Sequence, residues 1–214
     1  VAEQLGKPYR WFYSLPLDDR KTYETMTGMR LNGVFQFEGS ALQNIVRDMG
    51  VNDFNDVVAI TSLARPGALM SGGAAKYVRY STGADVPEYY SDAHRKITGD
   101  TYGIIVYQEQ VMFIAKDIGG MGWEDVSDLR RAVSKSMGEE YMAKFKDKFV
   151  NGAIDNGYSP DIAEKLWGEI VTSGSYSFNK SHAVAYGYVS YWTAYCKTHF
   201  PSEFAVACLD NAAD

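Results

Sequence analysis

The sequence predicts a mainly α-helical fold of many helices, with one or two short β-strands. Apolar residues recur at helical spacing in most of the chain; Val126, Leu129 and Val133, for example, share one face of a helix at 100° per residue. Residues that favour helix starts precede several of these stretches, and glycines that favour helix ends follow them. Both observations indicate a helical domain.

Four elements are predicted in the first part of the chain. They are a short helix that Asp18 caps and that ends near Gly28, a strand over Val34–Phe37, a helix from Ser40 to Gly50, and a helix that Asp53 caps and Pro66 stops. The aromatic run Trp11–Tyr13 fits either a strand or a packing anchor. Residues 66–101 are rich in glycine, serine and scattered charges, which predicts mobile loops.

The second part predicts longer helices. They are a strand-like start at Tyr102 that continues as a helix through Ile118, a helix over 123–135, one over about 139–156, one begun by Ser159-Pro160, one from Ala183 to Thr198 with Ser181 as its N-cap, and one begun by Pro201.

Composition limits the classes of protein. The chain lacks a run of about 18 apolar residues and a signal peptide, so we expect a cytoplasmic protein without membrane contact. Cys196 and Cys208 lack the spacing of a zinc site and fit free thiols. The net charge of −6 argues against a domain that wraps nucleic acid broadly, so any phosphate contact must be local. Because the chain begins at Val1, we expect an excised or split piece of a longer protein.

A local cationic surface is predicted on the helix over 123–135. Arg131 falls opposite the apolar face, Lys135 lies one turn further on, and Arg130 flanks both. Guanidinium groups bind phosphate oxygens in pairs, and lysine adds a point charge. Asp128 lies near enough to neutralise part of this charge. A solvated helix face is the ordinary alternative.

A second candidate site precedes the next-to-last predicted helix. Asn179, Lys180, Ser181 and His182 follow a turn-forming stretch and stand at a predicted helix start, where unpaired backbone amides attract anions. A capped helix start without a ligand is equally compatible with the pattern.

Two other stretches carry polar side chains that could contact nucleic acid or an anion. Gln108, Glu109 and Gln110 interrupt an apolar stretch, which fits either a helix surface or contact with a template or primer strand. Arg65 precedes a proline and a glycine, which would hold it rigidly as an anion contact; an ordinary surface arginine is the alternative.

Several of these motifs resemble those of the C-family bacterial DNA polymerases, and specifically the fingers domain of the DNA polymerase III alpha family. The similar stretches, in the order of the family, are Gly33-Val-Phe-Gln36 with Glu38, Arg65-Pro-Gly67, Tyr102-Gly-Ile-Ile-Val-Tyr-Gln-Glu-Gln-Val-Met112, Leu129-Arg-Arg-Ala132 with Lys135, Tyr176-Ser-Phe-Asn-Lys-Ser-His-Ala183, and Tyr191 to Phe204. The resemblance covers about residues 16–209, and the divergence of the sequence from the usual family pattern suggests a phage version of such a polymerase.

The resemblance implies a fingers domain over residues 16–209, a leading segment over 1–15 that joins a missing palm, and a tail over 210–214. It implies a DNA-directed DNA polymerase, a nucleotidyltransferase of DNA replication, of which this chain alone would be inactive. Mg²⁺ would be held by the palm, whose paired aspartates are not found here, so neither a catalytic residue nor a metal ligand is expected in this chain. The implied partners are dNTP, primer–template DNA, the other polymerase domains and replisome subunits.

Site residues carry over by position. The expected nucleotide-binding residues are Arg130, Arg131, Lys135, Asn179, Lys180, Ser181 and His182, and the expected contacts with DNA or nucleotide are Arg65, Tyr107, Gln108 and Gln110. Lys180 or His182 is also a candidate proton donor to the departing pyrophosphate. Four positions depart from the usual family pattern: Ala64, Ala68, Ser136 and Ser177 replace tyrosine, proline, lysine and glycine. A non-catalytic nucleic-acid-binding module and a helical interaction module are the alternative functions.

Overall fold

The computed structural model describes residues 1–135 and 137–211 and is mainly α-helical, as the sequence predicts. Its helices in chain order are α1 Arg20–Thr27, α2 Ser40–Met49, α3 Phe54–Leu63, α4 Pro66–Met70, α5 Gly73–Ser81, α6 Asp92–Thr98, α7 Gln108–Phe113, α8 Trp123–Ser134, α9 Glu139–Met142, α10 Lys146–Asp155, α11 Pro160–Ser173, α12 Lys180–His199 and α13 Pro201–Asp210. Short 3₁₀ turns cover Tyr9–Ser14, Gly99–Thr101 and Ala143–Phe145, and a π-helical segment covers Ile114–Ile118. Each helix in the described ranges is too short or too polar to span a bilayer.

The chain forms two compact units. We call residues 1–64 together with 182–211 the terminal unit, and Arg65–Ser181 the central unit. The predicted domain bounds of 1–15, 16–209 and 210–214 follow the family resemblance, and they stay a prediction; residues 212–214 lie outside the described residues.

In the terminal unit, α12 packs against α3 and against the residues that precede α1. The hydroxyl of Tyr191, whose side chain is fully buried, donates to the carbonyl of Pro16. Gly187 allows close packing, since an added Cβ would lie 2.9 Å from a methyl group of Val58. The predicted packing role of the aromatic run is confirmed, because Trp11 forms part of a 3₁₀ turn and contacts the ring of Tyr195.

The strand predicted over Val34–Phe37 is wrong. Gln36 has a left-handed backbone (φ 66°), which interrupts an extended strand, and the segment forms turns. Its apolar residues instead anchor the turns to the core, since Val34 and Phe37 are both fully buried.

Helix boundaries correct three predicted caps. Asp19, rather than Asp18, caps α1, since its carboxylate accepts from the amide of Thr22. Ser40 is the first residue of α2 and does not cap it. Ser181 lies inside α12, which begins one residue earlier at Lys180. The cap of α3 by Asp53 is confirmed.

The central unit is built around the pair α10 and α11 and the π-helical segment. Phe149 of α10 packs against Trp167 of α11, with 5.6 Å between the ring centroids. Ile114 and Ile118 of the π-helical segment are fully buried. Gly152 permits direct backbone contact with this segment, since an added Cβ would lie 2.0 Å from the carbonyl oxygen of Gly119.

Two predictions in the central unit are wrong. Residues 66–101 contain α4, α5 and α6 instead of loops alone. The apolar pattern of α5 is weak, because this helix buries only Ala74 and Tyr77 and glycine and serine residues flank it. The helix predicted over 139–156 is divided into α9, a 3₁₀ turn and α10.

Candidate functional site

Helix α8 presents the predicted cationic surface. Val126, Leu129 and Val133 are buried on one side of the helix, whereas Arg130 and Arg131 are exposed. The amphipathic pattern therefore orients the arginine pair away from the core, as the sequence predicts.

The acidic neighbour of this surface is also the one predicted. A guanidinium nitrogen of Arg131 lies 3.5 Å from a carboxylate oxygen of Asp128, and both side chains are largely exposed. Exposed pairs of this kind contribute little energy, so Asp128 offsets the positive charge of Arg131 only weakly. Lys135 follows the last turn of α8 and is exposed. Ser136, where the family usually has a second lysine, lies outside the described residues.

The signature segment, residues 176–181, is attached to residues 106–109. The amide of Phe178 donates to the carbonyl of Val106 at 2.9 Å, and the amide of Gln108 donates to the carbonyl of Phe178 at 2.9 Å. These bonds form a parallel bridge between Tyr107 and Phe178, which is the only β-pairing within the described residues. The strand-like start predicted at Tyr102 is thereby reduced to this one bridge.

Gln108 links the signature segment to α8. Its side-chain oxygen accepts from the hydroxyl of Ser134 at 2.9 Å, and its side-chain nitrogen lies 3.5 Å from the carbonyl oxygen of Ser177. Ser134 is in the last turn of α8, after the arginine pair. The half-buried amide of Gln108 thus connects the two predicted phosphate-facing stretches.

Gln110 is a structural residue in this arrangement. Only 5% of its surface is exposed. Its oxygen accepts from the amides of Val106 and Tyr107, and its nitrogen donates to the hydroxyl of Thr101 and the carbonyl of Ile97. Because the whole amide is used inside the central unit, the structure corrects the expectation that Gln110 faces DNA or nucleotide.

Arg65 holds the signature segment from another direction. Its guanidinium donates to the carbonyl of Tyr176 at 2.9 Å and stacks on Phe178, with 3.9 Å from its central carbon to the ring centroid. Gly67 permits this approach, since an added Cβ would lie 2.8 Å from the carbonyl oxygen of Ser175. The Arg-Pro-Gly motif is therefore explained by packing of the signature segment.

Lys180 lies between an aromatic ring and an acid. Its ammonium nitrogen is 5.3 Å from the ring centroid of Tyr107 and 3.8 Å from a carboxylate oxygen of Asp100. Tyr107 itself is 3% exposed. Since Asp100 is exposed and its contact with Lys180 is long, this ion pair contributes little energy.

The first turn of α12 already carries an anion of the chain itself. The carboxylate of Glu109 accepts from the backbone amide of Lys180 at 2.9 Å and from the side-chain amide of Asn179 at 3.1 Å. The hydroxyl of Ser181 donates to the oxygen of Asn179 at 2.6 Å. The sequence pattern places Glu109 either on a helix surface or against a template or primer strand, and it does not predict this capping contact with Asn179 and Lys180.

His182 is the first residue of the second segment of the terminal unit. It is exposed, and its ring packs on Tyr186 with 4.2 Å between centroids. Contact of His182, and of the other exposed candidates, with a nucleotide stays a prediction. In the described part of the chain, no group of three or more His, Cys, Asp or Glu side chains is arranged to hold a metal ion.

Comparisons with known proteins agree with the motifs. The model of the bacterial DNA polymerase III alpha subunit finger domain matches residues 2–157. The chain is 42% identical over 193 residues to the DNA polymerase III subunit alpha of Aquifex aeolicus, which covers 90% of this chain and 16% of that protein. It is 37% identical over 214 residues to the subunit of Pasteurella multocida, with 98% and 18% covered, and 39% identical over 211 residues to that of Campylobacter jejuni, with 99% and 17% covered.

The chain thus spans less than a fifth of the length of these curated relatives. The matched region includes α8 with its arginine pair and residues 106–109, which hold the signature segment. With the family model matching most of its residues, the chain belongs to the family of bacterial DNA polymerase III alpha subunit finger domains.

Proposed function

We propose that this chain binds the triphosphate of an incoming dNTP and contacts primer–template DNA as part of a DNA-directed DNA polymerase. The observation that carries the proposal is the exposed pair Arg130 and Arg131 on α8, in a chain that belongs to a finger-domain family. Two adjacent guanidinium groups on a fixed helix suit a polyphosphate, because each can bind two oxygens.

In this proposal the chain contributes electrostatics and positioning to nucleotidyl transfer. As the primer hydroxyl attacks the α-phosphorus, negative charge accumulates on the departing pyrophosphate, and Arg130, Arg131 and Lys135 stabilise it. Lys180 adds a further positive charge, and Lys180 or His182 donates a proton to the leaving group. Mg²⁺ would be held by polymerase residues outside this chain, as the family resemblance implies.

The proposed partners follow from the same role. They are primer–template DNA, the remaining domains of the polymerase and, through these, other replisome subunits, all in the cytoplasm. Contact with DNA is expected to be confined to a small surface, because the net charge of the chain is −6.

The first test changes Arg130 and Arg131 to alanine in the full-length polypeptide that carries this chain. We expect the dNTP dissociation constant to rise at least tenfold, since each charge-assisted bond to phosphate contributes roughly 1.5–3 kcal/mol. Binding is measured by titration with labelled dNTP at low and moderate salt, and the wild-type affinity should fall as salt increases.

The matched control changes Arg95 and Lys96, two exposed cations of α6 in the same unit. This control removes the same charge and should leave dNTP affinity within about twofold of the wild type. Equal losses in both double variants would contradict a site on α8. Salt-dependent DNA affinity without dNTP binding would support the non-catalytic nucleic-acid-binding alternative, and binding of neither would favour a helical interaction module.

A further inference from the structure

Glu109 connects α7 to the first turn of α12. One carboxylate oxygen accepts from the side-chain amide of Asn179 at 3.1 Å, and the other accepts from the backbone amide of Lys180 at 2.9 Å. Both bonds are partly buried and charge-assisted, which makes them stronger than bonds between neutral groups. A single side chain therefore fixes two consecutive residues of the predicted site.

The backbone that carries Glu109 is itself well fixed. Gln108 on one side donates its amide to Phe178, and Gln110 on the other side is anchored by four hydrogen bonds inside the unit. These bonds fix the backbone of Glu109 next to the start of α12. The carboxylate therefore keeps its position relative to Asn179 and Lys180.

We propose that Glu109 is a positioning residue for the nucleotide site and aligns Asn179 and Lys180 for the triphosphate; this inference rests on the proposed function. The backbone amide of Lys180 donates to the carboxylate of Glu109 and is therefore not available to a ligand. In this proposal Lys180 binds a phosphate with its side-chain ammonium group alone. The ammonium group lies above the ring of Tyr107, which precedes the Gln108–Gln110 run.

Removal of Glu109 has opposite consequences under two explanations. If the carboxylate acted only through its charge, its loss would raise the local positive potential and tighten the binding of an anionic triphosphate. If it positions Asn179 and Lys180, its loss leaves these groups misaligned and weakens binding. The direction of the change in affinity therefore distinguishes positioning from charge.

The experiment compares Glu109→Ala with the wild type in the full-length polypeptide that carries this chain. Deuterium exchange in the peptide around Lys180 reports the cap directly, and titration with dNTP reports the site. We expect at least tenfold faster exchange of the Lys180 amide and roughly tenfold weaker dNTP affinity, with primer–template affinity unchanged. Glu109→Gln retains one acceptor oxygen and should lie between the wild type and Glu109→Ala in both measurements.

Glu164→Ala is the matched control, because Glu164 is a partly exposed glutamate of the same unit whose carboxylate pairs with Lys146 of α10 at 2.9 Å. This control should match the wild type in both measurements. If the wild type binds dNTP and Glu109→Ala binds it equally well or more tightly, the positioning role is wrong while the proposed function stands. If the wild type does not bind dNTP at all, the proposed function has failed, and the positioning role falls with it.

Discussion

At the scale of single residues, several polar side chains near the signature segment stabilise its position. Arg65 donates to Tyr176 and stacks on Phe178, and Gln110 uses its whole amide inside the central unit. Glu109 caps α12. In each case the residue type follows from the groups it must satisfy, so an arginine or a glutamine in such a motif need not contact a ligand.

Ser177 is a residue at which this chain departs from the usual family pattern. Its hydroxyl is buried without a hydrogen-bond partner among the described residues, which costs free energy. We expect Ser177→Ala to raise the free energy of unfolding by about 1 kcal/mol, as measured by denaturant titration. Ser173→Ala is the control: the buried hydroxyl of Ser173 donates to the carbonyl of Ile170, so that change should not stabilise the chain. A loss of stability in Ser177→Ala would contradict the assignment of its hydroxyl as unsatisfied.

His94 gives the chain a pH-dependent stability. It is fully buried, and burial, opposed slightly by Glu88, lowers the pKa of His94 to about 4. An unfolded histidine has a pKa near 6.5, so between these values the unfolded state binds a proton that the folded state does not. Stability should therefore fall as the pH decreases from about 6.5 to 4, by at most about 3 kcal/mol from this residue.

The test of this prediction compares His94→Phe with the wild type by denaturant unfolding at several pH values. The difference between their unfolding free energies should change with pH in the window named above. Parallel pH profiles for the wild type and His94→Phe would show that His94 titrates normally.

At the scale of elements, α4 and the segment that precedes Tyr176 approach closely at Gly67. The side chain of alanine at this position would meet backbone at 2.8 Å, so either α4 or residues 175–176 must move. We expect Gly67→Ala to lower the free energy of unfolding by about 1–3 kcal/mol and to weaken the proposed dNTP binding. Thermal unfolding and nucleotide titration measure the two effects.

Gly168 supplies the comparison for Gly67. It lies inside α11, and an added Cβ there would meet no atom within 4 Å. Gly168→Ala should therefore stabilise the chain by about 0.5–1 kcal/mol, because alanine favours a helix interior. If both substitutions change stability in the same direction, close packing at Gly67 is not the controlling factor.

The success of sequence prediction also differs between elements. Helices α8 and α11 are predicted well because each has a regular apolar face, and α11 also begins with a capping serine followed by a proline. Helix α5 was missed because it buries only two residues, Ala74 and Tyr77. The strand over Val34–Phe37 was wrong because alternation alone does not reveal the left-handed conformation of Gln36.

At the scale of the whole molecule, the sequence predicted the fold class and the family, but not the way the motifs support one another. The surface of α8 follows from local periodicity. The role of Glu109 does not, since its partners Asn179 and Lys180 are 70 and 71 residues away along the chain. Contacts between residues so far apart in sequence depend on the tertiary structure, and a pattern of neighbouring residues does not predict them.

The same separation has a consequence for the order of folding. Bonds between residues 106–109 and 177–180 close a loop of about 70 residues that contains α8, α9, α10 and α11. Closure of a long loop costs entropy that local helix contacts do not, so these bonds should form after the enclosed helices have packed. During synthesis Lys180 must also leave the ribosome before Glu109 can accept its two hydrogen bonds. The proposed nucleotide site is therefore among the last parts of the central unit to assemble.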